Sequence, residues 1–521
     1  MLGRRTSFDI LILSIVAGIA LVAPDFVGIG MASAGPSPYT WTASSAPFLL
    51  ASDGLGPGLA PTLNPGHLVC PSVGWCIEVG YTGEPGALVI WGGKASSMAF
   101  PSTPRMGGGF TVATGVSCAS VETCAATISY NKLFTSGTFG APVDTLVTGS
   151  WKQASVSTAG LVPAPKFAGD ATLTSISCPT SGFCVAVGSY QTSTAIEHPL
   201  IVTMTDGTWT ASNPPLSGLD PPYDDTRSST RHAYLTAVTC VTSSWCVAVG
   251  TSSELGFSET LSGGTWSDST VQIADLSMLA CPTVGWCLAA DGAGQLETLS
   301  NGGWAAASVP ETGLGAAQTA TAGLTIADVA CPASGTCVAV GSHPVTDGSE
   351  GVISTLLHGE WSSSVAPLAG VYPPPATPAF ASLSGVACPS PGSCVAVGTY
   401  SVGYGAPTDT YGRQEAGLIE TLSDGAWSPT SAPLTGAKPD QYSGALLKDA
   451  CPATGSCVAV GYSWAPGPHA FPGGGIVESQ SVGPPPGWGY WEAAANAAVE
   501  HFGAGTRPTG TGMTLTNPAR K

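Results

Sequence analysis

Charged side chains are scarce in this sequence, and cations are scarcer than anions. Asp, Glu, Lys and Arg make up 9% of the 521 residues, and 33 acidic residues oppose 15 basic ones, which gives a net charge of −18. Such a chain repels a nucleic-acid backbone. Surface helices usually carry many Glu and Lys side chains, so the shortage also disfavours a helical protein. We expect no nucleic-acid partner and an all-β fold.

Apolar runs long enough to span a membrane are also absent, although a shorter run lies near the N-terminus. Residues 10–23 follow two arginines and precede an Ala-Ser-Ala stretch that ends at Ala34, the layout of a secretory signal. Pro24 and Asp25 limit the run to about 14 residues, whereas a spanning helix needs about 20. We assign residues 1–34 to a signal peptide, with an uncleaved anchor as the alternative. The expected location is secreted, extracellular or in a bacterial cell envelope, with no membrane span after cleavage.

No cysteine is left over from the pairing pattern. All 16 cysteines fall into eight pairs with the spacing Cys-x5-Cys. Seven of the eight pairs have no His nearby at ligand spacing, and export implies an oxidising compartment, so we predict structural disulfides in preference to metal sites, and no cofactor. The predicted disulfides join Cys70 to Cys76, Cys118 to Cys124, Cys178 to Cys184, Cys240 to Cys246, Cys281 to Cys287, Cys331 to Cys337, Cys388 to Cys394 and Cys451 to Cys457.

Two short motifs recur along the chain. The cysteine pairs lie in units such as Cys178-Pro-Thr-Ser-Gly-Phe-Cys-Val-Ala-Val-Gly188, which repeat about every 40 to 60 residues. A Gly-containing turn and a tryptophan follow in each unit, as in Ser423-Asp-Gly-Ala-Trp427. Such turns between apolar runs indicate hairpins. Each unit is therefore predicted to contain four short antiparallel strands.

Eight such units predict a β-propeller of about eight four-stranded blades over residues 35–484, with one disulfide hairpin per blade; seven blades is the alternative count. A row of separate sandwiches is disfavoured because four strands alone bury too little surface. The segment 39–47 has the pattern of a fourth strand but precedes every cysteine pair. We expect it to complete the last blade and close the ring, with Trp488 competing for the same place.

The turns Thr205-Asp-Gly-Thr-Trp209 and Ser423-Asp-Gly-Ala-Trp427 resemble the Asp-box of sialidase-type (BNR) propellers. The cysteine-paired unit also resembles the propeller repeats of secreted bacterial proteins. The first resemblance implies a sialidase-like glycoside hydrolase, whose site would hold the substrate carboxylate with three arginines. Arg227, Arg231 and Arg413 supply the candidate triad, but most turns here have lost the Asp. We therefore keep the hydrolase as the alternative function and expect the turns to serve packing.

Successive connections in a propeller alternate between its two faces. The disulfide hairpins and the Trp-bearing turns share one face, here called the stapled face, and the other connections share the opposite one, here called the loop face. Variable loops on a rigid scaffold are the usual place for binding. Nearly all length variation falls on the loop face, in residues 213–233, 341–351, 368–381, 398–417 and 461–475.

Two of these loops carry candidate ligand residues. Calcium candidates are Asp220, Asp224 and Asp225, although their spacing matches no calcium loop and a solvated acidic loop is the plainer interpretation. Aromatic and basic groups of the kind that stack on sugars or peptides form the second set, for which ordinary loop packing is the alternative. The ligand-face candidates are Tyr223, Arg227, Arg231, Tyr404, Tyr411 and Arg413.

Residues 485–521 form a C-terminal tail, in which 489–503 fit either an amphipathic helix or a partial Gly-Tyr-Trp β-repeat, which they resemble. The sequence has no nucleophile elbow, Walker loop or His-Glu-x-x-His pair, and we assign no catalytic residue. We predict a monomeric, non-catalytic binding or scaffold module for a polysaccharide or protein ligand. A purely structural wall component is a third possibility.

Overall fold

A computed structural model describes the part of the chain that forms the repeats. The described residues are 39–46, 67–81, 85–91, 94–99, 111–130, 141–147, 149–166, 171–192, 196–216, 232–252, 255–273, 275–318, 323–377, 379–402, 415–433, 443–464, 472–482, 490–493 and 499–502. In these ranges there is no helix that is both long and apolar enough to cross a membrane.

The described strands form eight four-stranded antiparallel sheets, which are the blades of a propeller. Blade 1 contains β2 (Leu68–Ser72), β3 (Trp75–Tyr81), β4 (Pro85–Trp91) and β5 (Lys94–Ala99). Blade 2 contains β6 (Thr111–Ser120), β7 (Thr123–Tyr130), β8 (Ala141–Val147) and β9 (Ser150–Val156). Blade 3 contains β10 (Ala171–Thr180), β11 (Phe183–Gln191), β12 (Glu197–Thr205) and β13 (Thr208–Ser212). Blade 4 contains β14 (Ala233–Thr242), β15 (Trp245–Ser252), β16 (Leu255–Ser262) and β17 (Thr265–Val271).

The second half of the ring repeats this order. Blade 5 contains β18 (Met278–Thr283), β19 (Trp286–Ala290), β20 (Gln295–Ser300) and β21 (Gly303–Ser308). Blade 6 contains β22 (Thr325–Ala333), β23 (Thr336–Val345), β24 (Gly348–Leu357) and β25 (Glu360–Val365). Blade 7 contains β26 (Ala381–Ser390), β27 (Ser393–Ser401), β28 (Glu415–Ser423) and β29 (Ala426–Ser431). Blade 8 contains β30 (Ser443–Ala453), β31 (Ser456–Trp464), β32 (Pro472–Val482) and, as its fourth strand, β1 (Tyr39–Ala46).

The ring is closed by the strand that comes first in the chain. β1 pairs antiparallel with β32 along its whole length, from Tyr39↔Val482 to Ala46↔Gly475. The first strands of the units contact one another around the whole ring, and β30 contacts β2 to complete it. These inner strands therefore surround the central channel. The expected closing strand is confirmed, whereas Trp488 lies outside the described residues.

All eight predicted disulfides are formed, with Cα–Cα distances between 4.0 and 4.2 Å. Each joins the third-last residue of a blade's first strand to the second residue of its second strand, just before their shared hairpin. The bonded pairs are Cys70 with Cys76, Cys118 with Cys124, Cys178 with Cys184, Cys240 with Cys246, Cys281 with Cys287, Cys331 with Cys337, Cys388 with Cys394 and Cys451 with Cys457.

The stapled hairpins meet the hairpins of strands three and four on one face of the ring, which is the predicted stapled face. In blade 3, for example, the N–H of Asp206 donates to the carbonyl of Gly182 (3.0 Å). In blade 4 the N–H of Gly263 donates to the carbonyl of Ser244 (3.3 Å) in the same way, so in these two blades the tip of the cross-linked hairpin is also held by the neighbouring turn.

The glycine that ends each Cys-Val-Ala-Val-Gly motif is required by the fold. In blade 7, a Cβ added to Gly398 would lie 2.0 Å from the carbonyl oxygen of Ser382 on the inner strand. The same approach recurs at Gly188, Gly250, Gly341 and Gly461. The register shifts at this point in the inner strand, between Leu383 and Gly385 in blade 7, and the bulge brings the two backbones together.

In blades 3 to 7, the Trp-bearing turn is a two-residue hairpin in which both central residues have positive φ. Asp424 and Gly425 have φ of 53° and 79°, and Asn301 and Gly302 have 52° and 79°. Type I′ hairpin turns require this geometry, and Asp, Asn and Gly adopt it most readily. Turn geometry alone thus accounts for the Asp, Asn or Gly at the first central position.

Two details differ from a simple four-strand unit. Most of residues 341–351, predicted to be a loop, are strand: β23 and β24 stay paired out to Val345↔Gly348, so blade 6 carries an extended hairpin on the loop face. In the tail, the described residues form two strands, β33 (Tyr490–Ala493) and β34 (Val499–Phe502), paired antiparallel from Tyr490↔Phe502.

Candidate functional site

The inner strands carry an equivalent position three residues before the first cysteine of each pair. In blades 3, 4 and 7 this residue pairs with the last Val of the Cys-Val-Ala-Val-Gly motif, so its side chain faces the next blade beside the channel. We call the eight residues the inner ring. The inner ring consists of His67, Gly115, Ser175, Ala237, Met278, Asp328, Gly385 and Lys448.

Hydroxyl groups one residue before the inner ring join neighbouring blades. Thr174 Oγ1 in blade 3 donates to the carbonyl of Leu235 in blade 4 (2.9 Å), and Ser384 Oγ in blade 7 donates to that of Leu446 in blade 8 (2.8 Å). Thr114 makes the same bond to Leu173 of the next blade (2.6 Å). These bonds satisfy carbonyls freed by the bulges, so they fix the spacing of the blades around the channel.

Two opposite charges of the inner ring bind each other. Lys448 Nζ of blade 8 lies 2.9 Å from Asp328 Oδ2 of blade 6. The carboxylate also accepts the N–H of its neighbour Val329 (3.0 Å) and, at 3.4 Å, that of Val386 in blade 7. The side chains are 29% and 24% exposed, so the pair is only partly hydrated. Lys448 thereby balances the charge of the Asp328 carboxylate, and three groups from three blades orient it.

Neighbouring titratable groups respond to this ion pair. Burial opposes the charge of Lys448, but the Asp328 carboxylate outweighs it and raises the pKa of Lys448. Burial, aided by Asp328 and opposed by Lys448, raises the pKa of Asp449 well above its usual value. Desolvation and the Lys448 charge lower the pKa of His67 in blade 1, although His67 is exposed. The inner ring therefore holds an ion pair that carries no net charge, and a positive charge on His67 is disfavoured beside Lys448.

Gly385 makes room for the ion pair to cross blade 7. A Cβ at this inner-ring position would lie 2.8 Å from Asp449 Oδ1 and 3.1 Å from the Cα of Lys448. Glycine therefore keeps blade 7 thin where Lys448 reaches back to Asp328.

Two connections on the loop face are built alike. The loop between blades 2 and 3 crosses Tyr190, whose hydroxyl donates to the carbonyl of Pro163 (3.0 Å). The loop between blades 6 and 7 crosses Tyr400, whose hydroxyl donates to the carbonyl of Pro373 (2.8 Å). Both tyrosines are buried, at 1% and 0% exposure. Each loop is thus held down by a hydroxyl from the blade that follows it.

Each of these loops presents an apolar side chain to solvent. Val162 is 78% exposed and Tyr372 is 68% exposed. Their backbone N–H groups are held: that of Val162 donates to Asn213 Oδ1 (3.0 Å) and that of Tyr372 to Ser431 Oγ (2.9 Å). Blades 3 and 7 are four positions apart in a ring of eight, so the two side chains lie on opposite sides of the ring.

The predicted ligand residues on the loop face are not among those that the structure describes. This applies to the calcium candidates and to the six ligand-face candidates, which include the proposed arginine triad. In the described ranges, no group of three or more His, Cys, Asp or Glu side chains could hold a metal ion. The sequence did not indicate Val162, Tyr372 or the Lys448–Asp328 pair as functional residues. Aligning the units on their first cysteine would have shown the unusual charges at the inner ring.

Neither a family model nor a curated protein matches this chain. Solved structures do resemble it. They include YCF48 from Cyanidioschyzon merolae (11% identity, 85% of this chain and 98% of that chain, TM-score 0.39). YCF48 bound to D1 peptide is 12% identical, over 76% of this chain and 97% of that chain, with a TM-score of 0.37. The computationally designed Ika8 protein is 11% identical, over 80% of this chain and 98% of that chain, with a TM-score of 0.42. At such identities the likeness concerns the fold alone, and the eight-bladed assignment rests on the sheet order and the closed ring.

Proposed function

We propose that this protein is a non-catalytic binding propeller that works outside the cytoplasm and holds a protein ligand on its loop face. The observation that carries the proposal is the matched pair of loops that expose Val162 and Tyr372 while their backbones are held by hydrogen bonds. A loop whose backbone is already held loses less conformational entropy on binding, and aromatic side chains are enriched in protein interfaces.

The disulfides support the proposed location. Eight disulfides persist in an oxidising compartment, whereas the cytosol of most organisms keeps thiols reduced. A secreted or envelope protein gains from such hairpin cross-links because they oppose local opening. The predicted signal at residues 1–34 belongs to the same proposal.

The sialidase-like alternative is not favoured by the inner ring. Hydrolysis in such a site needs several charged groups directed at the substrate. The described inner ring has one carboxylate and one ammonium group in contact with each other, and its other members are Gly, Ser, Ala, Met and His. A channel of this kind suits a scaffold more than a glycosidase.

A comparison of the two faces tests the proposal. The oxidised full-length chain is immobilised and exposed to the extracellular and envelope fractions of its host, beside a loop-face variant (V162D/Y372D) and a stapled-face variant (V73D/L357D). Val73 and Leu357 are 63% and 50% exposed, so both variants place charges on exposed apolar positions. We expect one ligand to bind wild type and V73D/L357D and to be lost from V162D/Y372D.

The chemistry of the retained material decides between ligand classes. A ligand destroyed by protease supports the proposal, whereas one destroyed only by glycosidases would replace it with polysaccharide binding. Equal retention by all three chains, or loss from V73D/L357D alone, contradicts binding at the loop face.

A further inference from the structure

Acidic side chains recur at one position of the blades, in the middle of the third strand. Asp144, Glu259, Glu297, Glu420 and Glu478 occupy it in blades 2, 4, 5, 7 and 8. Each pairs with the central residue of the second strand, which is Ala in all five blades. The five acids are 0% or 1% exposed. A repeated buried acid at equivalent positions is a property of the ring and not of one blade.

Blade 1 contains the same feature on the neighbouring strand. Its second strand has Glu78 where the other blades have Ala, and Glu78 pairs with Leu88 of the third strand. Burial raises the pKa of Glu78 to about 7. Blades 3 and 6 have Val202 and Ser354 at the third-strand position. Six of the eight described blades therefore carry an acid in this strand pair.

These acids face the preceding blade. Glu420 shares its face of β28 with Leu418 and Leu422, which pack in one apolar cluster with Val340 and Ile353 of blade 6. Alternation along a strand places the other acids in the corresponding clusters. Glu259 thus faces blade 3 and Glu478 faces blade 7.

Most of these interface acids have no polar partner among the described residues. Both carboxyl oxygens of Asp144, Glu259, Glu420 and Glu478 are buried without a hydrogen bond. Glu297 differs because Oε1 accepts the N–H groups of Gln272 (2.7 Å) and Ile273 (2.8 Å). An ionised carboxylate without a partner in an apolar interface is costly, whereas the neutral acid is tolerated.

In the described strands that pack against these acids, no cation offsets their charge. Across the sheet, Asp144 lies opposite Ala126 and Gln153, Glu420 opposite Ala396 and Pro429, and Glu478 opposite Ala459 and Ala43. Glu259 lies opposite Ala248 and Asp268, and Asp268 is a second acid. Apolar residues of the preceding blades pack in the same clusters as the neighbours of these acids.

We propose that protonation of the interface acids stabilises the contacts between blades. The ring is tightest while these acids hold their protons, and it loosens as they ionise. Burial raises the pKa of Asp144 to about 7 and those of Glu420 and Glu478 to about 9. Burial and the charge of Asp268 raise the pKa of Glu259 to about 8.

The direction of the pH effect follows from linkage. Each acid binds its proton more tightly in the folded ring than in the unfolded chain, so the unfolded chain releases protons first as pH rises. The stabilising contribution is complete below the usual values of 3.8 and 4.5, falls above them, and is lost once pH passes the folded values of about 7 to 9. These acids therefore stabilise the ring most in acidic surroundings.

The test is thermal unfolding of the oxidised full-length chain between pH 4.5 and pH 9.5, at high salt so that repulsion among surface charges is screened. We expect the melting temperature to fall as pH rises. In E259Q/E420Q/E478Q, which cannot ionise at three interfaces, the fall should be much smaller. The control is E360Q, because Glu360 is an exposed acid on β25, and it should follow wild type.

A spectroscopic titration keeps the proposal testable even if the triple variant fails to fold. Protonated carboxyl groups have an infrared carbonyl band distinct from that of carboxylates. We expect wild type to keep this band at pH 6 and to lose it between about pH 7 and pH 9. A melting temperature constant from pH 5 to pH 9, an unchanged pH dependence in the triple variant, or no protonated band at pH 6 would overturn the proposal.

Discussion

Lys448 of blade 8 and Asp328 of blade 6 form an ion pair at 2.9 Å across the intervening blade 7. The two residues are 120 positions apart in the chain. Their contact therefore depends on the ring as a whole, and it ties three consecutive blades together beside the channel.

Replacing Lys448 with Met should destabilise the protein by about 1–3 kcal/mol, because a partly buried carboxylate loses its charged partner. Urea unfolding at pH 7 measures the change. Lys152→Met is the matched control, since Lys152 is an exposed lysine of β9, and it should change stability by less than about 0.5 kcal/mol. Equal effects of the two substitutions would show that the ion pair contributes nothing.

Gly398→Ala should be strongly destabilising, by about 1–3 kcal/mol or more, because its Cβ would lie 2.0 Å from the Ser382 carbonyl oxygen. Gly303→Ala in β21 is the control, since nothing lies within 4 Å of the added Cβ there. Urea unfolding of both variants separates the close approach from the general effect of replacing glycine. A Gly398→Ala protein as stable as Gly303→Ala would contradict the bulge geometry.

Tyr400→Phe should cost about 1–3 kcal/mol, because the buried Pro373 carbonyl loses its donor. It should also speed proteolytic cleavage of the loop that it holds down. Tyr372→Phe is the control, because this side chain is 68% exposed. Urea unfolding measures the loss of stability, and limited proteolysis followed by mass spectrometry measures the cleavage of the loop. Equal cleavage of the two variants would mean that Tyr400 does not anchor the loop.

Removal of one disulfide with C388S/C394S should lower the free energy of unfolding by about 2 kcal/mol, which is the chain-entropy value for a loop of roughly seven residues. The Cα atoms of this pair are 4.1 Å apart and the hairpin is also held by backbone pairing, so the ring should still form. Chemical denaturation of the oxidised variant measures the loss. A variant that fails to fold would show that a single disulfide is essential.

The sequence predicts most of the architecture because the informative contacts are local. The repeated spacing pairs cysteines six positions apart, such as Cys388 and Cys394, and the export signal favours a disulfide between them. The closing strand could be predicted because Trp41 and its neighbours have the pattern of a fourth strand without a unit of their own. The extended hairpin of blade 6 was missed because residues 341–351 contain Gly, Pro and Asp, which usually mark loops.

The candidate site was harder to predict because it depends on contacts between blades. Nothing near Lys448 in the sequence indicates Asp328, and their relation appears only when the units are aligned on the first cysteine. That alignment does not bring Glu259, Glu420 and Glu478 together, because the connection between the second and third strands varies in length, and their equivalence appears only in the strand pairing. Their burial without partners still needs the three-dimensional ring, since alternating acids also occur on solvent-facing strands.

Site-specific photocrosslinking in the native host tests the central claim, binding at the loop face, most directly. A photoreactive phenylalanine analogue is placed at Tyr372 on the loop face or at Leu357 on the stapled face, which are 68% and 50% exposed. We predict one discrete, protease-sensitive adduct from position 372 and none from position 357. Adducts from position 357 alone, or the same adducts from both positions, would contradict the account.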